Sequence, residues 1–121
     1  MERAIWLNKE KNVATEVYLE NPNDPAEIKK YVMCDFFDAS AYRIGRTLYR
    51  IIVDDDGWPR DQDDKDSEVS AIASFGTPLM YGNLLIFCQS GNELVGLGDD
   101  DIRNIWRRLV VIPRSGLVLV I

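Results

Sequence analysis

Three features of the sequence predict an α+β fold: a mainly antiparallel sheet built from hairpins, with two short helices packed on one face. Stretches that alternate apolar and polar residues come in adjacent pairs joined by short polar or glycine turns. Two other stretches carry apolar residues at helical spacing behind acidic caps. A chain of 121 residues that is 46% hydrophobic supports one core, so residues 1–121 form a single domain.

The chain opens with "RAIWLN" and "NVATEVYLE", two strands around the polar turn "KEKN". In "NPNDPAEIKKYVM", Asp24 caps a helix, Pro25 suits its first position, and Glu27 completes a capping box. Ile28, Tyr31 and Val32 then give this helix one apolar face. From Phe36 to Val53 the period becomes two, with Phe36, Tyr42 and Ile44 on one side and Gly45-Arg46 as the turn of a second hairpin. A short turn or helix is expected at Ser70–Ser74, a strand at Asn83–Gln89, then a Ser-Gly-Asn turn and a short apolar tail. Asp99 or Asp100 caps the second helix, whose stripe is Ile102, Ile105, Trp106 and Leu109. Its polar face carries Arg103, Arg107 and Arg108, cations placed late along the helix dipole. The terminal "LVLVI" is too apolar to stand in water, so it pairs with the sheet or with another subunit, and a homo-oligomer is expected.

Charge narrows the function classes. The net charge is -6, and residues 54–68 hold eight acids against two bases, an excess of six that equals the whole net charge. Duplex nucleic acid is not the expected partner, because phosphate neutralisation requires a basic surplus. The chain has no histidine, which removes Ser-His-Asp and Cys-His catalysis and the usual zinc sites. Cys34 and Cys88 lie in apolar surroundings without C-x-x-C spacing and read as buried thiols of a reducing compartment. "MERAIWLNKEKN" has charges where a secretory leader needs apolar residues, and no apolar stretch is long enough to span a bilayer. A cytoplasmic protein with no membrane partner is expected.

"LYRIIVDDDG", "VSAI" and "LMYGNLLIFCQSGNELVGLGDDDIRNI", taken in that order, resemble domain-of-unknown-function family 3846, small proteins of phages, prophages and conjugative elements. The resemblance covers residues 28–106. A strand ends in acids and glycine at Val53–Gly57, a small-residue segment follows at Ser70–Ile72, and a glycine-led apolar strand comes at Tyr81–Ile86. An acid-capped helix closes the pattern between Glu93 and Ile105. The insert beginning Trp58-Pro59-Arg60 and the terminal "LVLVI" depart from it. The resemblance implies a mobile-element origin, in the cytoplasm of an infected or element-carrying bacterium, and no established reaction.

Three chemistries compete for the candidate site. With Gly57 at the sixth position of a calcium loop, Asp54 and Asp56 fit the third and fifth, but Ile52 takes the first and Asp63 the last. That template fails; no metal and no cofactor are expected, and 54–68 reads as a solvated loop. Paired carboxylates are the remaining route to an enzyme, but turn and capping roles already account for those visible. Arginine beside aromatic rings is the chemistry that holds a phosphate and stacks a base. The candidates are Arg43, Arg46 and Arg50 at the second hairpin, Phe87 on the following strand, Asn92 in its turn, and Arg103, Trp106, Arg107 and Arg108 on the last helix. The plainer alternative is that these arginines are solvated and Trp106 is core.

The expectation is a non-enzymatic, phage-encoded anti-defence protein that sequesters a small nucleotide-derived immune signal, such as a cyclic ADP-ribose isomer. A protein-binding inhibitor of a host nuclease, restriction or CRISPR factor, acting through the acidic loop, is the alternative. A carboxylate-based enzyme is the third.

Overall fold

The computed structural model describes residues 1–34, 36–54 and 66–121. Among these residues ten strands and two α-helices follow in the order β1 (Glu2–Asn8), β2 (Val13–Leu19), α1 (Pro25–Val32), β3 (Phe37–Ile44), β4 (Thr47–Asp54), β5 (Val69–Ile72), β6 (Pro78–Tyr81), β7 (Leu84–Ser90), β8 (Glu93–Val95), α2 (Asp99–Trp106), β9 (Leu109–Ile112) and β10 (Gly116–Val120), with a single 3-10 turn at Asp66–Glu68 before β5. Mainly antiparallel strands with two helices bear out the α+β expectation. No helix among the described residues is long and apolar enough to cross a membrane.

The larger sheet has the order β2-β1-β7-β4-β3, with β8 also pairing with β7. Both expected hairpins form its flanks, one in register from Glu2↔Leu19 to Asn8↔Val13, the other from Phe37↔Asp54 to Ile44↔Thr47. Gly45, at φ +65°, supplies the left-handed residue that a tight two-residue turn requires. Strand β7 enters between the hairpins, pairing Ile86 with both Ile5 and Ile51. The smaller sheet has the order β6-β5-β10-β9.

Alternation along the central strands divides the core. Ile5, Leu7, Tyr49, Ile51, Leu84 and Ile86 share one cluster with Ile102 and Ile105 of α2 and with Ala71, Met80 and Leu119 of the smaller sheet. Ala4, Ile52, Leu85 and Phe87, the alternate residues, share another with Ile28 and Val32 of α1. The helices therefore cover opposite faces of the larger sheet, which corrects the expectation of one shared face. β7 is apolar on both sides, so each face of the sheet needs its own cover.

Local chemistry explains four further differences. Glu27 does not close a capping box with Asp24; its carboxylate accepts from the backbone N–H groups of Glu20 (3.1 Å) and Asn21 (2.6 Å), while Asp24 caps Ala26 (3.0 Å). Gly98, rather than Asp99 or Asp100, is the N-cap of α2, because Asp101 reaches back to the Gly98 N–H at 2.9 Å. The Ser70–Ser74 stretch is mostly strand β5, turned at its end where the Gly76 N–H meets the Ala73 carbonyl at 2.8 Å. "LVLVI" is internal: β10 lies between β9 and β5, parallel to β5 through Leu119↔Ala71.

Lys9 ties the first hairpin to the smaller sheet. Its side chain is buried, and Nζ donates to Asn12 Oδ1 (3.1 Å), the Ser115 carbonyl (2.6 Å) and the Leu117 carbonyl (2.6 Å). Asn83 continues the link, accepting from the Lys9 N–H at 2.8 Å and donating to the Tyr31 carbonyl at 3.2 Å. In the sequence "KEKN" shows only as a polar turn.

Candidate functional site

The strand register, rather than sequence proximity, determines which arginines meet. Ala41 pairs with Arg50, which pairs on its other side with Phe87; Arg43 pairs with Leu48. Directly opposed residues share a face, so Arg43, Arg50, Leu48 and Phe87 lie together on the α1 side of the sheet. Phe87 is fully buried there, whereas Leu48 is 51% exposed. The Nε of Arg50 is buried without a hydrogen-bond partner. Such an orphan costs about 1–3 kcal/mol in a fold that has no use for it.

β4 starts at Thr47 and the antiparallel β7 ends at Ser90, so the Gly45-Arg46 and Gly91-Asn92 turns project from the same end of the sheet. Arg43 Nη1 donates to the Arg46 carbonyl at 3.4 Å across the first of these turns. Asp101 and Asn104 form a row on α2 that continues to Arg108, whose N–H bonds the Ile105 carbonyl at 2.9 Å. A Cβ placed on Gly45 would lie 2.9 Å from Asn104 Oδ1 and 3.5 Å from Arg108 Nη2. Arg108 therefore reaches the same hairpin tip from the opposite face.

A polar network seats that row of α2. Tyr49 donates to Asp101 Oδ1 at 2.8 Å and accepts from Asn104 Nδ2 at 3.2 Å, and Asn104 Nδ2 also donates to the Ile44 carbonyl at 2.9 Å. Burial first, then its bonding to Asp101, holds the Tyr49 phenol above the usual range. Cys88 donates its thiol to Asp101 Oδ2 at 3.4 Å. Burial, with the Asp101 charge, pushes that thiol up to about 12, so it stays protonated and is a poor nucleophile.

Thus Arg43, Arg46, Arg50, Phe87, Asn92 and Arg108 gather at one end of the larger sheet. Arg103 and Trp106 do not join them, and Arg107 is the C-cap of α2. Arg103 is ion-paired with Asp100, and helical spacing places Arg103 and Trp106 on the flank away from the hairpin. Trp106 is 37% exposed, so only part of its ring contributes to the apolar stripe. Among the described residues the ion pairs are Arg3–Asp99 and Arg103–Asp100, which leaves the hairpin-tip arginines without a carboxylate partner. A group of guanidinium ions without counter-charge is suited to an oxyanion, which each fork can bind with paired hydrogen bonds.

Asp101, Asn104 and Tyr49 were not among the sequence candidates. The spacing of Asp101, Asn104 and Arg108 was visible, but nothing local identified Ile44 as their target. No group of three metal-ligating side chains occurs among the described residues. The calcium-loop and acidic-decoy readings rest on 54–68, most of which lies outside the described residues. Comparison with family models, curated proteins and solved structures found no match.

Proposed function

We propose that this chain is a non-enzymatic, self-associating binding protein that captures a small phosphate-bearing ligand of the nucleotide class at the β3–β4 hairpin tip. What supports the reading is the placing of Arg43, Arg46, Arg50 and Arg108 at one end of the sheet without a carboxylate partner among the described residues. Arg43 and Arg50 flank the exposed Leu48 from the α1 side, and Arg108 approaches from the α2 side. Asn92, on the neighbouring turn, offers an amide for a base or ribose edge.

The role proposed for this binding is sequestration of a nucleotide-derived immune signal, such as a cyclic ADP-ribose isomer, by a phage or mobile element. It extends the mobile-element origin implied by the resemblance.

Calorimetric titration with cyclic ADP-ribose isomers, ADP and inorganic phosphate tests the reading. Saturable binding that is weakened at least tenfold by Arg46→Ala or Arg108→Ala, and unaffected by Arg103→Ala, supports it. Absence of heat with every nucleotide, or equal weakening by all three substitutions, removes it.

A further inference from the structure

The outer strands of the two sheets differ in how well they resist a further strand. β6 has only four residues, begins with Pro78 and pairs irregularly with β5; β9 is equally short. β2 is long, but in its full antiparallel overlap with a second copy Glu16 falls opposite itself, and like charges directly opposed are destabilising. β3 has none of these defences. It runs eight residues in unbroken register with β4, contains no proline or lysine, and has no strand on its outer edge among the described residues.

We infer that β3 is a homodimerisation edge, pairing antiparallel with β3 of a second copy about a two-fold axis at Ser40. A two-fold axis normal to the sheet keeps equivalent faces on one side, so paired residues must have the same parity along the strand. Centring on Ser40 meets this condition with seven residue pairs. Asp38 then faces Tyr42 of the second copy, a carboxylate opposite a phenol donor. Arg43 faces Phe37, a cation beside an aromatic ring. Both pairs occur twice by symmetry, Ala39 meets Ala41, and no like charges are opposed.

Arg43 and Phe37 belong to the α1 side of the sheet, where Arg50 and Phe87 also lie. The second copy thereby adds an aromatic ring beside the hairpin-tip arginines. The inference deepens the self-association in the proposed function and is independent of its ligand.

Sedimentation equilibrium of the full chain without ligand tests it. The expected mass is twice that of the 13.8 kDa chain. Ser40→Lys, which opposes two like charges at the axis, is expected to return the single-chain mass, and Glu16→Lys on β2 to leave the dimer intact. Ser40→Cys is expected to form a disulfide-linked dimer on mild oxidation, above the level of the unmodified chain. A single-chain mass at every concentration overturns the inference, as does a dimer unaffected by Ser40→Lys. Should Ser40→Lys prevent folding, failure of Ser40→Cys to cross-link overturns it instead. Because the mass is read without ligand, a failed nucleotide titration leaves the dimer standing, and a monomer leaves the nucleotide reading standing.

Discussion

Asn104 donates its Nδ2 to the carbonyl oxygen of Ile44 at 2.9 Å, joining α2 to the last residue of β3 before the hairpin turns. This bond holds Arg108 over the same turn that carries Arg46. Asn104→Leu leaves the Ile44 carbonyl without this donor and frees the Tyr49 hydroxyl from one partner. Urea unfolding is expected to show a loss of about 1–3 kcal/mol. Nucleotide affinity is expected to fall further than in an equally destabilised Val118→Ala variant, whose side chain packs in the separate cluster of the smaller sheet.

Arg50 allows stability and binding to be separated. Its Nε is buried and orphaned, and its stem lies beside Phe87. Arg50→Met keeps an apolar stem and removes the unsatisfied donor. Stability is expected to be unchanged or to rise by up to ~1 kcal/mol. Binding of a phosphate-bearing ligand is expected to weaken, and calorimetry beside thermal unfolding checks both.

Lys9 makes stability depend on pH. Burial lowers its ammonium from the ordinary 10.5 to about 8, opposed by the three carbonyl oxygens around Nζ. Between these values the unfolded chain binds the extra proton, so the Lys9 contribution makes stability rise with pH above about 8. Tyr49 acts in the opposite sense: its raised phenol pKa removes stability as the pH passes 10, the value in the unfolded chain. Cys88, at 9.0 in the unfolded chain and about 12 in the fold, opposes it from pH 9 upward, so the Lys9 effect is read between pH 8 and 9. Urea midpoints across that window are expected to rise more steeply in the unmodified chain than in Lys9→Met. The variant is also expected to lose about 1–3 kcal/mol at pH 7 by leaving buried acceptors unpaired.

Cys88 is expected to be inert in the folded protein. A thiol moved from 9.0 to about 12 has little thiolate at pH 8. Iodoacetamide labelling of Cys88 at that pH is expected to be roughly a thousandfold slower folded than in urea, as read by peptide mapping. Comparable rates would show that Asp101 and burial do not hold the proton in place.

Gly45 carries both a local and a tertiary demand. Its positive φ disfavours a side chain, and a Cβ there would press on Asn104 Oδ1 at 2.9 Å. Gly45→Ala is expected to cost about 1–3 kcal/mol in thermal or urea unfolding. It is also expected to weaken nucleotide binding by displacing the α2 row.

Much of the fold was legible because it is local. The two hairpins, the Asp24 cap with Pro25 behind it, and the Ile102–Ile105 stripe depend on residues a few positions apart. Strands β6 and β8 were not resolved as strands, because each is too short to establish a period and forms only by pairing with a neighbour. The candidate arginines divided in a way no local rule could supply. Arg103 is bound by Asp100 one turn away, whereas strand register sets Arg43 and Arg50 on one face and a helix docked from elsewhere brings Arg108 to the hairpin tip from the other.

The amino-acid sequence by itself determined the α+β class, the hairpin turns, the main helix start and the residue types available for an anion, because steric, capping and periodic preferences act between near neighbours. Tertiary structure alone decided three matters: that β7 enters between the two hairpins, that the helices cover opposite faces, and that "LVLVI" is an internal strand. Each depends on burying apolar surface contributed by segments far apart in the chain. Many pairings satisfy the same local preferences, and only the one that covers both faces of β7 places four arginines at one end of the sheet.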